Sequence, residues 1–263
     1  SFPTRRSSDL MDFAVGSAGL MRQSLTLALS HAWTRSGFGD RLARQPMMAN
    51  VLADMAIEVE AATLLALRVA KATDHIAQDP QQRAFARLVT PVAKYFNCSR
   101  APAVAYEAVQ CHGGNGFIEE NPIPRVFRES PLNSIWEGTA NMMCMDVRRS
   151  LLRVAGCRDA LFADLHGVKG QDARFDAYVA ALGPLLDEMQ GEEFLARPAS
   201  EAIARAVQGA ELLRHSTGDV VDAFMGTRLG GLTSHWGTMF GTMGPSISKA
   251  QADRIVERAQ VAR

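Results

Sequence analysis

Apolar positions along this chain recur every three to four residues over long stretches, the period of a helix with one buried stripe. Between Met47 and Asp74 the stripe is Leu52, Met55, Val59, Ala62, Ala66 and Val69, which predicts one long bundle helix. Similar patterns predict helices over about Met11–Ser36 and Pro80–His112, with Pro91 and Pro102 expected to kink or restart the second of these. A fourth helix is expected from about Ala140 to Val154, and a second helical region after Gly156, with helices near Asp172–Gln190 and Arg197–Thr217. No segment shows sustained period-two alternation rich in β-branched residues, which argues against a sheet. The expected fold class is therefore all-α. Loops are expected at Gly37–Pro46, Gly113–Pro131 and Gly167–Gly170, and the glycine-, threonine- and aromatic-rich stretch Gly226–Gly244 reads as a loop without an assignable role.

Composition narrows the function classes. With 263 residues and 47% hydrophobic content, the chain is long enough for a sizeable core and two packed helical units. Its formal net charge of zero gives no general attraction to nucleic acid or to an anionic membrane. Cys98, Cys111, Cys144 and Cys157 form no CxxC pair and the histidines form no compact ligand set, so no metal site is expected, and the thiols read as small buried side chains in a reducing cytoplasm. No apolar run is long enough for a membrane span. The first ten residues, SFPTRRSSDL, look like translated sequencing adapter, and Ser1 to Leu10 are set aside from the fold expectation.

Candidate chemistry concentrates between Gln110 and Arg149. Gly113, Gly114 and Gly116 crowd a short window after a helical run, where backbone can turn sharply and approach another group closely. Further on, Ser134-Ile-Trp136-Glu137-Gly138-Thr139 puts one carboxylate beside an indole and a flexible hinge. A carboxylate lodged against an indole is expected to be poorly solvated, which raises its pKa toward the range useful for proton abstraction. Ser134-x-x-Glu137 equally fits a helix capping box, and the glycines a helix C-terminal stop.

Six separated elements occur in order: Arg35-x-x-Phe38-Gly39, Leu52-Ala-Asp-Met55, Gln110-x-x-Gly113-Gly114-x-Gly116-Phe117, Pro124-Arg125, Arg128 and Trp136-Glu137-Gly138-Thr139. Together they resemble the C-terminal helical domain of the acyl-CoA dehydrogenase family. Asn133-Ser-Ile-Trp-Glu-Gly, Asn141-Met-Met-Cys-Met-Asp-Val and Val168-Lys-Gly-Gln-Asp-x-Arg-Phe-Asp176 resemble its alkylation-response subgroup, related to isovaleryl-CoA dehydrogenase. The resemblance implies a four-helix bundle over residues 11–155, a helical C-terminal extension over 156–263, and an N-terminal helical domain and a middle β-domain preceding them.

It also implies FAD as cofactor and a short or branched acyl-CoA as substrate, with Glu137 as the base and Trp136 lining the substrate pocket. Arg35, Phe38, Gln110, Gly113, Gly114, Thr139 and Asn141 match flavin-contacting positions, with Asn141 standing where a glutamine is more usual. Gln110, Gly113 and Gly114 match the segment that meets the flavin of an adjacent subunit, so a homo-oligomer, most simply a tetramer, is implied. In the alkylation-response subgroup Arg149 matches a position associated with double-stranded DNA, within a cluster of Arg148, Arg149, Arg153 and Arg158. From Met145 onward, however, 14 basic residues stand against 15 acidic, so no broad basic footprint supports that role.

Overall fold

The computed structural model describes residues 3–230, 240 and 247–260, with side chains from residue 9 onward. Four long helices make the bundle: α1 (Pro3–Thr34), α2 (Pro46–Asp74), α3 (Pro80–His112) and α5 (Ala140–Arg153), while the short α4 (Ile123–Glu129) sits between α3 and α5. Asp79 starts α3 by accepting from the backbone N–H of Gln81 and Gln82, satisfying two donors that the first helical turn leaves without partners. The predicted stripe of α2 is buried throughout, from Leu52 to Val69. Helices α1 and α3 run parallel, as the pairings Ala14–Asn97, Ser17–Cys98 and His31–His112 require. Asn97 also donates to the Ala62 carbonyl at 3.0 Å, so one buried amide ties α1, α2 and α3 together.

Several expectations need correction. Helix α1 begins at Pro3, earlier than the expected start near Met11, and Leu10 is buried. Of the kink or restart expected at Pro91 and Pro102, the restart does not occur: α3 is one continuous element with buried residues on both sides of each proline. Burial along α1 and α2 offsets the cost of about 3 kcal/mol that an interior proline imposes. The expected loop Gly113–Pro131 contains α4, hidden in the sequence because Pro122 and Pro124 flank its start, where a missing N–H costs least. Within the expected loop Gly37–Pro46, Ser36–Gly37 (β1) pairs with Asp40–Arg41 (β2) as a minimal antiparallel ribbon.

The extension forms α6 (Cys157–His166), α7 (Ala173–Gly191), α8 (Ala196–His215), α9 (Gly218–Arg228) and α10 (Lys249–Ala259). Of the unassigned stretch Gly226–Gly244, Gly226 to Arg228 end α9 and Leu229 is buried, while 231–239 and 241–244 lie outside the described residues. The extension packs on α2 and α3 through α6, α8 and α10. Buried ion pairs cross this boundary. Arg68 of α2 donates twice to Asp164 of α6, at 3.1 and 3.0 Å, and Arg228 of α9 pairs with Asp54 and Glu58 of α2.

Glu58 sits at the centre of the second cluster. Burial pushes its carboxyl up, but Arg100 and Arg228 outweigh that and hold it down at about 2. A carboxyl depressed in the folded state adds stability above its ordinary value of 4.5, and that stability is lost as pH falls toward about 2. Chemical unfolding measured across this window is expected to show the loss, and Glu58→Gln is expected to flatten that part of the profile. An unchanged profile in the variant would contradict the assignment.

Candidate active site

Between a short 3-10 turn at Leu132–Ser134 and α5 lies the Trp136–Thr139 loop. Ser134 bonds back to the Pro131 carbonyl at 2.8 Å and caps no helix together with Glu137, because α5 starts only after Thr139. Among the described residues the only non-glycines with positive φ are Phe38 and Glu137, both at 55°. Such a conformation costs an L-residue of order 1–3 kcal/mol and persists only where its surroundings hold it. Gly138 follows at φ 120°, a value that favours glycine.

Lys94 does the holding. It lies on α3, 1% exposed, and its Nζ donates to the carbonyls of Trp136 at 3.1 Å and Gly138 at 2.5 Å, the residues on either side of Glu137. Burial pushes the Lys94 ammonium down, opposed in part by Cys98 and Glu137. The indole of Trp136 packs on Phe13 of α1 with ring centres 4.9 Å apart. Beneath the loop, Asn133 donates to the Ser17 hydroxyl, which donates to the Cys98 sulfur, each at 3.2 Å. Two packing layers and one buried cation therefore fix the loop to α1 and α3.

The poor solvation expected for Glu137 is not found. Its side chain is exposed and Trp136 retains 44% of its surface, because the left-handed turn presents residue 137 outward while the indole lies on Phe13. Thr139 makes no side-chain cap. Asn141 accepts from Arg197 Nε at 2.8 Å.

The other candidate residues gather at the far end of the bundle. His31 of α1 stacks on His112 of α3 at 4.6 Å, which brings the ribbon after α1 close to the glycine turn after α3. Burial, His112 and Arg35, in that order, push the His31 imidazole down. Arg35 is exposed, and Phe38 at the ribbon tip is 95% exposed. Gln110 is exposed and donates to Glu107 at 2.8 Å. Gly113 stops α3 at φ 60° and Gly116 is required by packing, since an added Cβ would meet the Val109 carbonyl at 2.3 Å. Among the described residues nothing lies within 4 Å of a Cβ placed on Gly114. From Lys94 to Gln110 is about 24 Å along α3, at about 1.5 Å per residue. One chain thus keeps the two groups of candidate residues apart.

Two arginines of the cluster are committed internally. Arg148 donates to the Met189 and Gln190 carbonyls at the end of α7, and Arg158 pairs with Asp187. Arg149 is exposed and lies 3.4 Å from Asp146, which Arg87 already holds through two bonds. Arg128 pairs with Glu119. All four cysteines are buried free thiols, and burial first, with Glu107 adding, pushes Cys111 up to about 12. Among the described residues no cluster of ligating side chains could hold a metal ion, and no helix is long and apolar enough to cross a membrane.

Sequence reasoning missed Lys94 and Arg197. The signal for Lys94 was available: it is one of four lysines in the chain and stands in an otherwise buried helical run. Nothing local marks Arg197, whose partner lies 56 residues earlier. Lys94→Met is expected to leave the helices folded but lower stability by roughly 1–3 kcal/mol, because two carbonyls lose their donor. Faster proteolytic cleavage within Ile135–Thr139 would accompany it, and wild-type melting and cleavage would refute the clamp.

Comparison with known proteins gives the family. Residues 11–152 match the acyl-CoA dehydrogenase C-terminal domain. The putative acyl-CoA dehydrogenase AidB of Escherichia coli is 40% identical over 213 residues, covering 81% of this chain and 39% of that protein. Acyl-CoA dehydrogenase family member 11 of Caenorhabditis elegans is 28% identical over 228 residues, covering 78% and 37%. The chain therefore spans about two-fifths of the length of these relatives. The crystal structure of Caenorhabditis elegans ACDH-11 in complex with C11-CoA superimposes with a TM-score of 0.70 at 22% identity, over 97% of this chain and 43% of that one. An acyl-CoA dehydrogenase from Bacillus anthracis complexed with FAD gives 0.69 at 18% identity, over 98% and 56%, and at these identities the likeness concerns the fold. On the matched domain and the sequence identity, this chain belongs to the acyl-CoA dehydrogenase family.

Proposed function

We propose that the chain contributes the C-terminal helical part of an FAD-dependent dehydrogenase that introduces an α,β double bond into a short or branched acyl-CoA, with Glu137 as the base. The observation that carries this reading is the loop itself: an exposed carboxylate is kept in a strained left-handed conformation by a buried lysine that grips the backbone on both sides of it. A merely structural loop has no need of such a fixture, whereas proton abstraction requires the carboxylate to be held in one place relative to the substrate. When bound, the flavin supplies acceptance of the β-hydride. Glu137 takes the α-proton onto its carboxylate, and Trp136 with Phe13 forms an apolar wall beside it. Exclusion of water from Glu137 falls to substrate, cofactor and the remaining domains of the whole protein, since this chain leaves it exposed.

The residues present fit FAD. Arg35 offers an exposed cation suited to a diphosphate, Phe38 an exposed aromatic face, and Gly114 an open backbone that no contact among the described residues explains. Thr139 and Asn141 leave polar groups exposed at the start of α5. The separation of about 24 Å between the two groups supports composite sites built from adjacent subunits, and so a homo-oligomer, most simply a tetramer. Exposed Phe38, Met47 and Phe117 near the ribbon end supply apolar surface for such an interface. Duplex DNA is less well supported as a partner, because Arg148 and Arg158 are spent within the chain and Arg149 shares Asp146.

In the full-length, flavin-loaded protein, Glu137→Gln is expected to retain FAD and to slow flavin bleaching by isovaleryl-CoA or a straight-chain acyl-CoA by roughly 10²–10⁴-fold under anaerobic conditions. Equal bleaching in parent and variant would remove Glu137 as the base. Firmly bound FAD with no bleaching in either would turn attention to duplex binding and to Arg149→Ala.

A further inference from the structure

The extension reaches the candidate cofactor region through Arg197. Arg197, in the first turn of α8, donates from Nε to Oδ1 of Asn141 in the first turn of α5, at 2.8 Å. A guanidinium has donors only, so this bond settles the orientation of the amide: the oxygen faces Arg197 and the Nδ2 group faces away. Among the described residues Nδ2 has no acceptor, and Asn141 is exposed. Arg197 itself has no ion-pair partner among the described residues, so no carboxylate competes for its hold on Asn141.

Neither side chain gains burial from this contact, since both are exposed, and an isolated surface hydrogen bond adds little to stability. What the bond does accomplish is directional. Asparagine is one methylene shorter than glutamine, so its amide reaches less far and depends more on being aimed. Arg197 aims it by occupying the oxygen.

We propose that Arg197 is a positioning residue for the cofactor site: by fixing the amide of Asn141 it presents Nδ2 as a donor to an acceptor group of the bound FAD, and so makes cofactor affinity depend on the extension. The inference rests on the FAD-binding reading above and adds to it a residue lying beyond the matched family domain, which ends at 152. It explains why α8 delivers an arginine with no charge partner to the start of α5.

The test is FAD affinity, read by flavin fluorescence during titration of the full-length apoprotein, in a cycle of Arg197→Ala, Asn141→Ala and the double variant. Arg197→Ala is expected to weaken FAD binding roughly tenfold while leaving the melting of the apoprotein unchanged. In the Asn141→Ala background the same change is expected to have no further effect, because Arg197 works only through that amide. Arg197→Lys, which keeps a donor for Oδ1, is expected to recover part of the loss. Unchanged affinity in Arg197→Ala, or losses that simply add in the double variant, would overturn the proposal while leaving FAD binding intact. A wild-type protein that binds no FAD would overturn the cofactor reading itself, and this inference with it.

Discussion

The two hydrogen bonds from Lys94 to the backbone around Glu137 are the constraint on which the candidate site depends. A positive φ at a glutamate is unfavourable on its own, and the loop has no regular secondary structure to enforce it. Lys94 can enforce it because it is nearly inaccessible, so its ammonium finds its acceptors in the protein and not in water. Burying an ammonium is costly, and the two carbonyls with the nearby carboxylate of Glu137 offset that cost. The dependence is mutual: the cation is tolerated because of the loop, and the loop is held because of the cation.

That arrangement needs a rigid α3, which the rest of the fold provides. Helix α3 packs on α1, α2, α5, α6 and α8, and ion pairs bind it to its neighbours: Arg100 to Glu58 of α2 and Arg87 to Asp146 of α5. The buried pairs Arg68–Asp164 and Arg228–Asp54 extend this framework into the helices beyond residue 156. Such pairs are poor sources of net stability but are strongly destabilising when one partner is removed, which fixes the relative placement of the helices they join. The extension thereby becomes part of the support for the Trp136–Asn141 region, through Arg197 directly and through α6 and α8 on α3.

Much of the architecture was legible from periodicity. Helices α2 and α3 match their expected bounds within a residue, because their apolar stripes are long and their ends carry proline, Asp79 or Gly113. Short elements were not legible: α4 is masked by its flanking prolines, and the ribbon β1–β2 is too short to show alternation. For the site, the two strained positions, Phe38 and Glu137, both fall within motif elements. The solvation of Glu137 was misjudged because adjacency in sequence to Trp136 does not mean contact when the backbone between them turns left-handed. Lys94 and Arg197 act across 44 and 56 residues of sequence respectively: the buried run around Lys94 marks the residue but not its partners, and nothing local marks Arg197.

In the proposed reaction Lys94 sets the working position of Glu137. The most direct measurement is exchange of the α-proton of an acyl-CoA with D2O, followed by NMR in the full-length flavoprotein and in its Lys94→Met variant at matched FAD occupancy. Exchange is expected in the parent and is expected to fall by about tenfold or more in the variant, while FAD remains bound. Equal exchange in both would mean that the base is positioned without Lys94, and would contradict the account.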